Sequence, residues 1–140
     1  MNRRNLDRCC AQYGWQMASE AKGKLDQDPK SRNAETLITK SLGVLQEDGV
    51  YAFFLYLVSR GKKEREGADV IKGLAAGLLK EAQIPAFQSY LDPLEAVRGG
   101  NDGKSRGLAD DLDHLLLAKR LLEQALIYAR YHAKALGGRS

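Results

Sequence analysis

Val50-Tyr51-Ala52-Phe53-Phe54-Leu55-Tyr56-Leu57-Val58 is the stretch on which the fold turns. Its valines and aromatics suit a strand. It has no polar positions, so neither the period of two nor the period of 3.6 can be read from it. A strand needs at least two others for a stable sheet, and no other segment of the chain reads as one. The run therefore predicts a helix, and because it is apolar all round, a helix buried on every side as the centre of an all-α fold. At nine residues it is far short of the roughly 20 that span a bilayer.

The pattern is helical on both sides of it. Upstream, residues 33–47 place Leu37, Ile38, Leu42 and Leu45 on one face, and Asp48-Gly49 is a stop signal. Before them, Pro29 and its polar neighbours break the chain. Residues 3–22 carry Leu6, Cys10, Tyr13, Met17 and Ala21 at helical spacing. Downstream, Gly61 ends the apolar run and Lys62-Lys63-Glu64-Arg65-Glu66-Gly67 reads as a charged loop. Helical period returns over 68–82 with Val70, Ile71, Leu74 and Leu78. Pro85 interrupts it, and Phe87 to Val97 gives one or two short helices, with Asp92-Pro93 as an N-cap and proline pair. Residues 99–107, GGNDGKSRG, read as a flexible linker. The longest element is 108–136, ended by Gly137-Gly138, with a stripe of Leu115, Ala118, Leu122, Ala125, Leu126, Ala129, Ala133 and Leu136. The expected architecture is a compact bundle of five to six helices with a long C-terminal helix, in one domain over 1–140.

Composition excludes several classes. An apolar fraction of 44% and a charged fraction of 29% are ordinary for a globular chain and exclude wholesale disorder. The basic start, Met1-Asn2-Arg3-Arg4, is not followed by an apolar h-region, so a cytoplasmic protein without membrane contact is expected. The net charge of +4 is uneven. Residues 1–113 are neutral, and 114–140 hold Lys119, Arg120, Arg130, Lys134 and Arg139 against Glu123 alone. Such an end suits a polyanionic partner. The adjacent Cys9 and Cys10 point about 100° apart on a helix and lack a second pair, so neither a mutual disulfide nor a zinc site is expected. One should pack in the core and the other face solvent.

No catalytic constellation emerges. Gly103-Lys104-Ser105 is like the end of a phosphate-binding loop, but position 98 is Arg98 where the first glycine belongs, and no strand precedes it. His114 and His132 are about 27 Å apart along one helix, too far to share a metal or a proton. The acidic pairs Asp26/Asp28 and Asp110/Asp111/Asp113 sit where solvated or capping groups are usual. No cofactor, no metal and no enzymatic activity are expected. A helix-turn-helix over 34–60 would need VYAFFLYLV in a major groove, and that segment is too apolar.

What remains is a binding surface. Lys119, Arg130 and Lys134 fall within roughly 60° of one another on the last helix, with Arg120 at the edge, and the apolar stripe is expected on the opposite side. Lys62, Lys63 and Arg65 form a second basic group. Trp15 and Tyr13 in the first helix and Tyr128 and Tyr131 in the last, among basic residues, have the composition that stacks on unpaired bases.

Three segments carry a resemblance: DRCCAQYGWQMASEA in the first helix, TLITKSLGVLQEDGVYAFFLYLVSRG with its Ser59-Arg60-Gly61 end, and LAKRLLEQALIYARYHAKALGG at the C-terminus. Together, over residues 6–22, 36–61 and 112–138, the chain resembles the small subunit of type III-B CRISPR effector complexes, the Cmr or RAMP-module family. The resemblance implies an all-helical subunit whose copies stack along the backbone filament of a ribonucleoprotein in antiviral defence. It implies contact with guide RNA and target RNA, with cleavage left to a metal-dependent backbone subunit. Lys119, Arg120, Arg130 and Lys134, then Lys62, Lys63 and Arg65, are the RNA-binding candidates. The competing expectation is a helical protein–protein adaptor that touches no nucleic acid.

Overall fold

The computed structural model describes residues 3–28 and 32–137. The break expected at Pro29 lies outside the described residues, as do Gly138 of the C-terminal stop and Arg139. The side chains of Arg3 and Arg4 lie outside them too. In order come α1 (Arg3–Leu25), α2 (Asn33–Asp48), α3 (Val50–Val58), α4 (Arg65–Glu81), α5 (Pro85–Ser89), α6 (Pro93–Arg98), a single 3₁₀ turn (Leu108–Asp110) and α7 (Leu112–Leu136). No strand occurs among the described residues. The fold is all-helical, and two of the seven α-helices among the described residues are only one to two turns long.

Local chemistry accounts for the boundaries. Asp26, just past α1, accepts from the Asn33 N–H (2.9 Å) and from the Ala34 N–H (3.4 Å), capping α2 from across the connection. This satisfies donors that a helix start leaves orphaned. Asp92 accepts from Leu94 N–H, with Pro93 at the first helical position, as its sequence predicts. Asp111 does the same for α7 through the His114 N–H. The C-terminal helix therefore begins at Leu112 rather than continuing from 108, because Gly107 and Asp110 close a separate turn of their own. The Asp110 carboxylate accepts from the Gly107 N–H at 2.9 Å. Helix α4 begins at Arg65, so Arg65, Glu66 and Gly67 belong to a helix rather than to the charged loop.

One apolar cluster draws on all seven helices, with Phe53, Phe54, Met17, Leu37, Ile38, Leu78 and Leu79 among its fully buried side chains. The Phe53 and Phe54 rings meet edge to face at 5.1 Å, and Phe54 continues to Phe87 at 5.9 Å. Helix α3 is indeed a helix, but it is not buried on every side. Val50, Phe53, Phe54 and Leu57 are buried, whereas Tyr51, Leu55 and Val58 face solvent. It packs chiefly on α2, α4 and α6, with lesser contacts to α7 and to Phe87 of α5, and these neighbours cover one side and leave the other open.

Helices α1 and α7 make the most extensive pairing in the molecule. The Cys10 thiol donates to the Leu121 carbonyl at 3.5 Å, and Gly14 lies against Ala125, Tyr128 and Ala129. Contacts therefore advance in the same direction along both helices, which run parallel. A Cβ on Gly14 would stand 2.6 Å from the Ala125 carbonyl oxygen, so this approach is open only to glycine. Both cysteines are buried and free, against the expectation that one faces solvent. Helix α1 packs on α4 as well as α7, so its covered arc spans positions about 100° apart. Cys10 turns to α7 and Cys9 to Glu81 of α4. Burial pushes the Cys10 thiol up to about 12, and it also raises Cys9, with Glu81 adding to the effect.

Candidate nucleic-acid interface

The outer side of the α1–α7 pair holds the clearest candidate surface. At about 100° per residue, Trp15 lies about 110° round α1 from the side that meets α7, and Tyr131 lies about 105° round α7 from the side that meets α1. In parallel helices these rotations, being of opposite sense, put both rings on the same outer side of the pair. Both are open to solvent, Trp15 at 54% and Tyr131 at 63%. On the same register Arg8 and Lys22 of α1, and Arg120 and Gln124 of α7, flank the two rings. Arg8 and Arg120 are exposed, while Lys22 is partly covered and paired with Asp26 at 3.6 Å. The Arg130 guanidinium lies 5.8 Å from the Tyr131 ring centroid, within cation–π range. The Tyr128 hydroxyl donates to Asp7 across the helix pair at 3.2 Å, which ties that ring to the scaffold and leaves Tyr131 as the exposed one of the two.

The basic residues singled out by sequence keep their spacing round the continuous α7 but are unequally exposed. Lys119 is partly buried. Its ammonium donates to the Gln46 carbonyl of α2 at 3.4 Å and pairs with Glu123 at 3.9 Å. Arg130 is partly buried, and Arg120 and Lys134 are exposed. Contrary to what its sequence spacing suggests, the basic stripe does not stand opposite the apolar one. Leu126, seven residues past Lys119, falls only about 20° from it round the helix and is fully buried. Lys119 and Arg130 thus border the core on the α2 side, Arg120 shares the side of Trp15, and Lys134 projects outward between them. Leu136, the last residue of the expected apolar stripe, is exposed at the helix end. Lys62 and Lys63 lie exposed on the turn after α3, and Arg65 is exposed at the start of α4. No ion pair or hydrogen bond among the described residues links them to the α7 group.

A second concavity lies where α5 and the turn around Leu108 meet the start of α7, lined by Pro85, Tyr90, Arg106, Asp110 and His114 among others. Here the His114 Nδ1 and the Asp111 carboxylate are paired. That hydrogen bond, with the His114 N–H, holds Asp111 below the usual carboxylate range. A carboxylate that orients an imidazole is one half of a nucleophile-activating arrangement. No hydroxyl or thiol among the described residues is hydrogen-bonded to His114. No group of three His, Cys, Asp or Glu among the described residues gathers where a metal ion could be held.

Residues 99–107 are not a loose linker. Asp102 Oδ1 accepts from the Lys104 N–H (2.9 Å) and the Ser105 N–H (2.8 Å), and Oδ2 accepts from the Ser105 hydroxyl (2.8 Å). The Gly100 N–H donates to the Ser105 carbonyl, Tyr90 Oη–H donates to the Arg106 carbonyl, and Arg98 donates to Asn101. The Lys104 side chain is exposed on this loop, which has no helix following Ser105 to complete a phosphate cradle.

No helix among the described residues is long and apolar enough to cross a membrane. Comparison of the chain with protein-family models, with curated proteins and with solved structures finds no match to any of them.

Proposed function

We propose that this protein is a non-catalytic, RNA-facing subunit of a ribonucleoprotein, with the small subunit of a type III-B CRISPR effector complex as its particular role in antiviral defence. The observation that carries the reading is the aromatic and basic seam on the outer side of α1 and α7. Exposed Trp15 and Tyr131 offer π-faces to unpaired bases, and Arg8, Arg120 and Lys134 offer charge to the backbone. Stacking is tolerant of base identity and contributes about 1–3 kcal/mol per base, while phosphate contacts position the strand without reading it. The resemblance in residues 6–22, 36–61 and 112–138 adds guide and target RNA as the ligands and the backbone filament as the protein partner. In this role copies of the subunit stack along the filament in the cytoplasm, and no cofactor takes part.

Trp15 is the sole tryptophan, so binding has a built-in reporter. Single-stranded RNA should quench its fluorescence, with an affinity that falls as salt rises by about 0.7 log units per log unit for each phosphate contact. Replacing Arg120 and Lys134 with alanine should flatten that slope similarly for every sequence. The measurement belongs in the assembled complex as well as the free chain, because one copy offers few contacts. A complex in which Trp15→Ala, Tyr131→Ala and the double arginine–lysine variant all leave RNA affinity and salt slope unchanged rules this surface out. The helical-adaptor reading, favoured by the exposed apolar side of α3, then takes its place. As a non-catalytic subunit the purified protein should cleave neither RNA nor DNA with magnesium, manganese or zinc. A cleavage activity abolished by a single acidic substitution would overturn that part of the reading.

A further inference from the structure

The open side of α3 carries Tyr51, Leu55 and Val58 at the i, i+4, i+7 spacing of one helical face, Leu55 at 47% exposure and Val58 at 48%. Val50, Phe53, Phe54 and Leu57 anchor the opposite side in the core. Charges of opposite sign stand at the two ends of this face. Glu47 and Asp48 end α2, separated from α3 by Gly49 alone, and Lys62 and Lys63 follow α3 on the next turn; all four are exposed. Among the described residues none of the four takes part in an ion pair. Arg60, the other cation at that end, is already engaged, stacked on the Tyr56 ring at 3.9 Å and paired with Glu64 at 3.8 Å. Leu55 is equidistant in sequence from Asp48 and Lys62, seven residues from each.

We propose that this face pairs with the same face of a second copy of the chain, the two α3 helices antiparallel about a two-fold axis that passes near Leu55. In that arrangement the acidic end of each copy meets the basic end of the other, twice over by symmetry, and the apolar trio of each copy covers that of its mate. The isologous two-fold is the geometry that a self-complementary patch selects, and it closes after two copies. A parallel alignment would set acid against acid and base against base, and the antiparallel one also opposes the helix dipoles favourably. Three side chains make a small centre, so the dimer is a weak one, at the lower end of specific interfaces. Helix α3 packs mainly on α2, α4 and α6, with a lesser contact to α7. The pairing uses none of Arg8, Trp15, Arg120, Tyr131 and Lys134, though it covers Lys62 and Lys63, and so stands independently of the α1–α7 seam.

Sedimentation equilibrium of the full chain, from micromolar to millimolar concentration and at low and high salt, tests it. A monomer–dimer equilibrium that weakens with salt is expected. Leu55→Glu should raise the dissociation constant by about tenfold or more, as loss of a central apolar contact does, with an unchanged thermal melt because Leu55 is exposed. Glu47→Lys with Asp48→Lys should weaken the dimer several-fold, and adding Lys62→Glu with Lys63→Glu in the same chain should restore it, since both ends are then reversed together. A chain that stays monomeric throughout, that grows beyond a dimer, or whose dimer ignores Leu55→Glu overturns the proposal. Failure of the four-fold reversal to restore what the double reversal lost overturns the antiparallel geometry.

Discussion

Helix α3 and the loop at 99–107 invert what their compositions suggest. The first has no charged residue and leaves Tyr51, Leu55 and Val58 in water; the second is GGNDGKSRG and is held by a carboxylate that accepts three hydrogen bonds. Order in the two regions has different sources. For α3, placement is decided by how many neighbours are available to cover it, a property of the other helices. For the loop, order comes from one side chain that satisfies backbone donors within its own turn, and from a crossing that only glycines permit. A Cβ on Gly99 would lie 2.3 Å from the Ser105 carbonyl oxygen, and one on Gly107 would lie 2.4 Å from the Gly99 nitrogen.

The largest effects are expected inside α3. Phe53→Ala should cost about 3–5 kcal/mol and Leu57→Ala about 2–5, out of a total near 5–15 for a domain. Leu55→Ala, on the same helix, should stay within about 0.5 kcal/mol in dilute solution. Thermal or urea melts that rank the three otherwise would show that α3 sits differently in the fold. The next effect belongs to the loop. Gly99 adopts φ 93° and ψ 175°, a region open essentially to glycine, where any other residue costs about 1–3 kcal/mol. Gly99→Ala should reach at least the upper end of that range, because its Cβ also meets backbone. Gly103→Ala, at φ 73° with open space around it, should show only the conformational part, about 1–2 kcal/mol. Equal melts for the two glycine variants would mean that the loop is not closed as described.

The smallest effect is one of pH. The Ser105 N–H, then the Lys104 N–H and the Ser105 hydroxyl, hold the Asp102 carboxyl at about 2, against 3.8 for the free group. A carboxyl that titrates lower in the folded state binds fewer protons there than in the unfolded chain. Its contribution is therefore complete above pH 3.8 and is lost as the pH falls from there through about 2. Protection of the Lys104 and Ser105 amides, taken relative to the exchange of an unstructured chain at the same pH, should fall across that window, and Asp102→Asn should show the lower protection already at neutral pH. Protection that is flat through the window would leave the loop held by its glycines alone.

These residues also show how far the sequence could be read. Helix type and position along the chain followed from periodicity and punctuation, because 3.6-residue spacing, Asp92-Pro93 and Gly49 act locally. The burial of α3 and of Cys9 did not, because burial depends on how many helices pack against an element, and the pattern of a single helix carries no count of its neighbours. The same limit affected the basic stripe. Lys119 and Leu126 are almost aligned round α7, and only the position of α2, whose Gln46 carbonyl receives the Lys119 ammonium, decides which side of that line is core. The aromatic members of the seam, Trp15 and Tyr131, were visible as residue types. Their sharing of one side needed the parallel run of α1 and α7, which no local signal encodes.

That parallel pairing sets a timetable for biosynthesis. The α1 face of Cys10 and Gly14 is complete early, but its partner on α7 is assembled from residues more than a hundred positions later. At ribosomal rates of about 5–20 residues per second, α1 waits on the order of 5–20 seconds with that face uncovered. The helices synthesised in between, α2 and α4 foremost, can give it provisional cover. Closure of the bundle is then a late, long-range step, and the nascent chain rather than the finished protein is where aggregation and chaperone contact should concentrate.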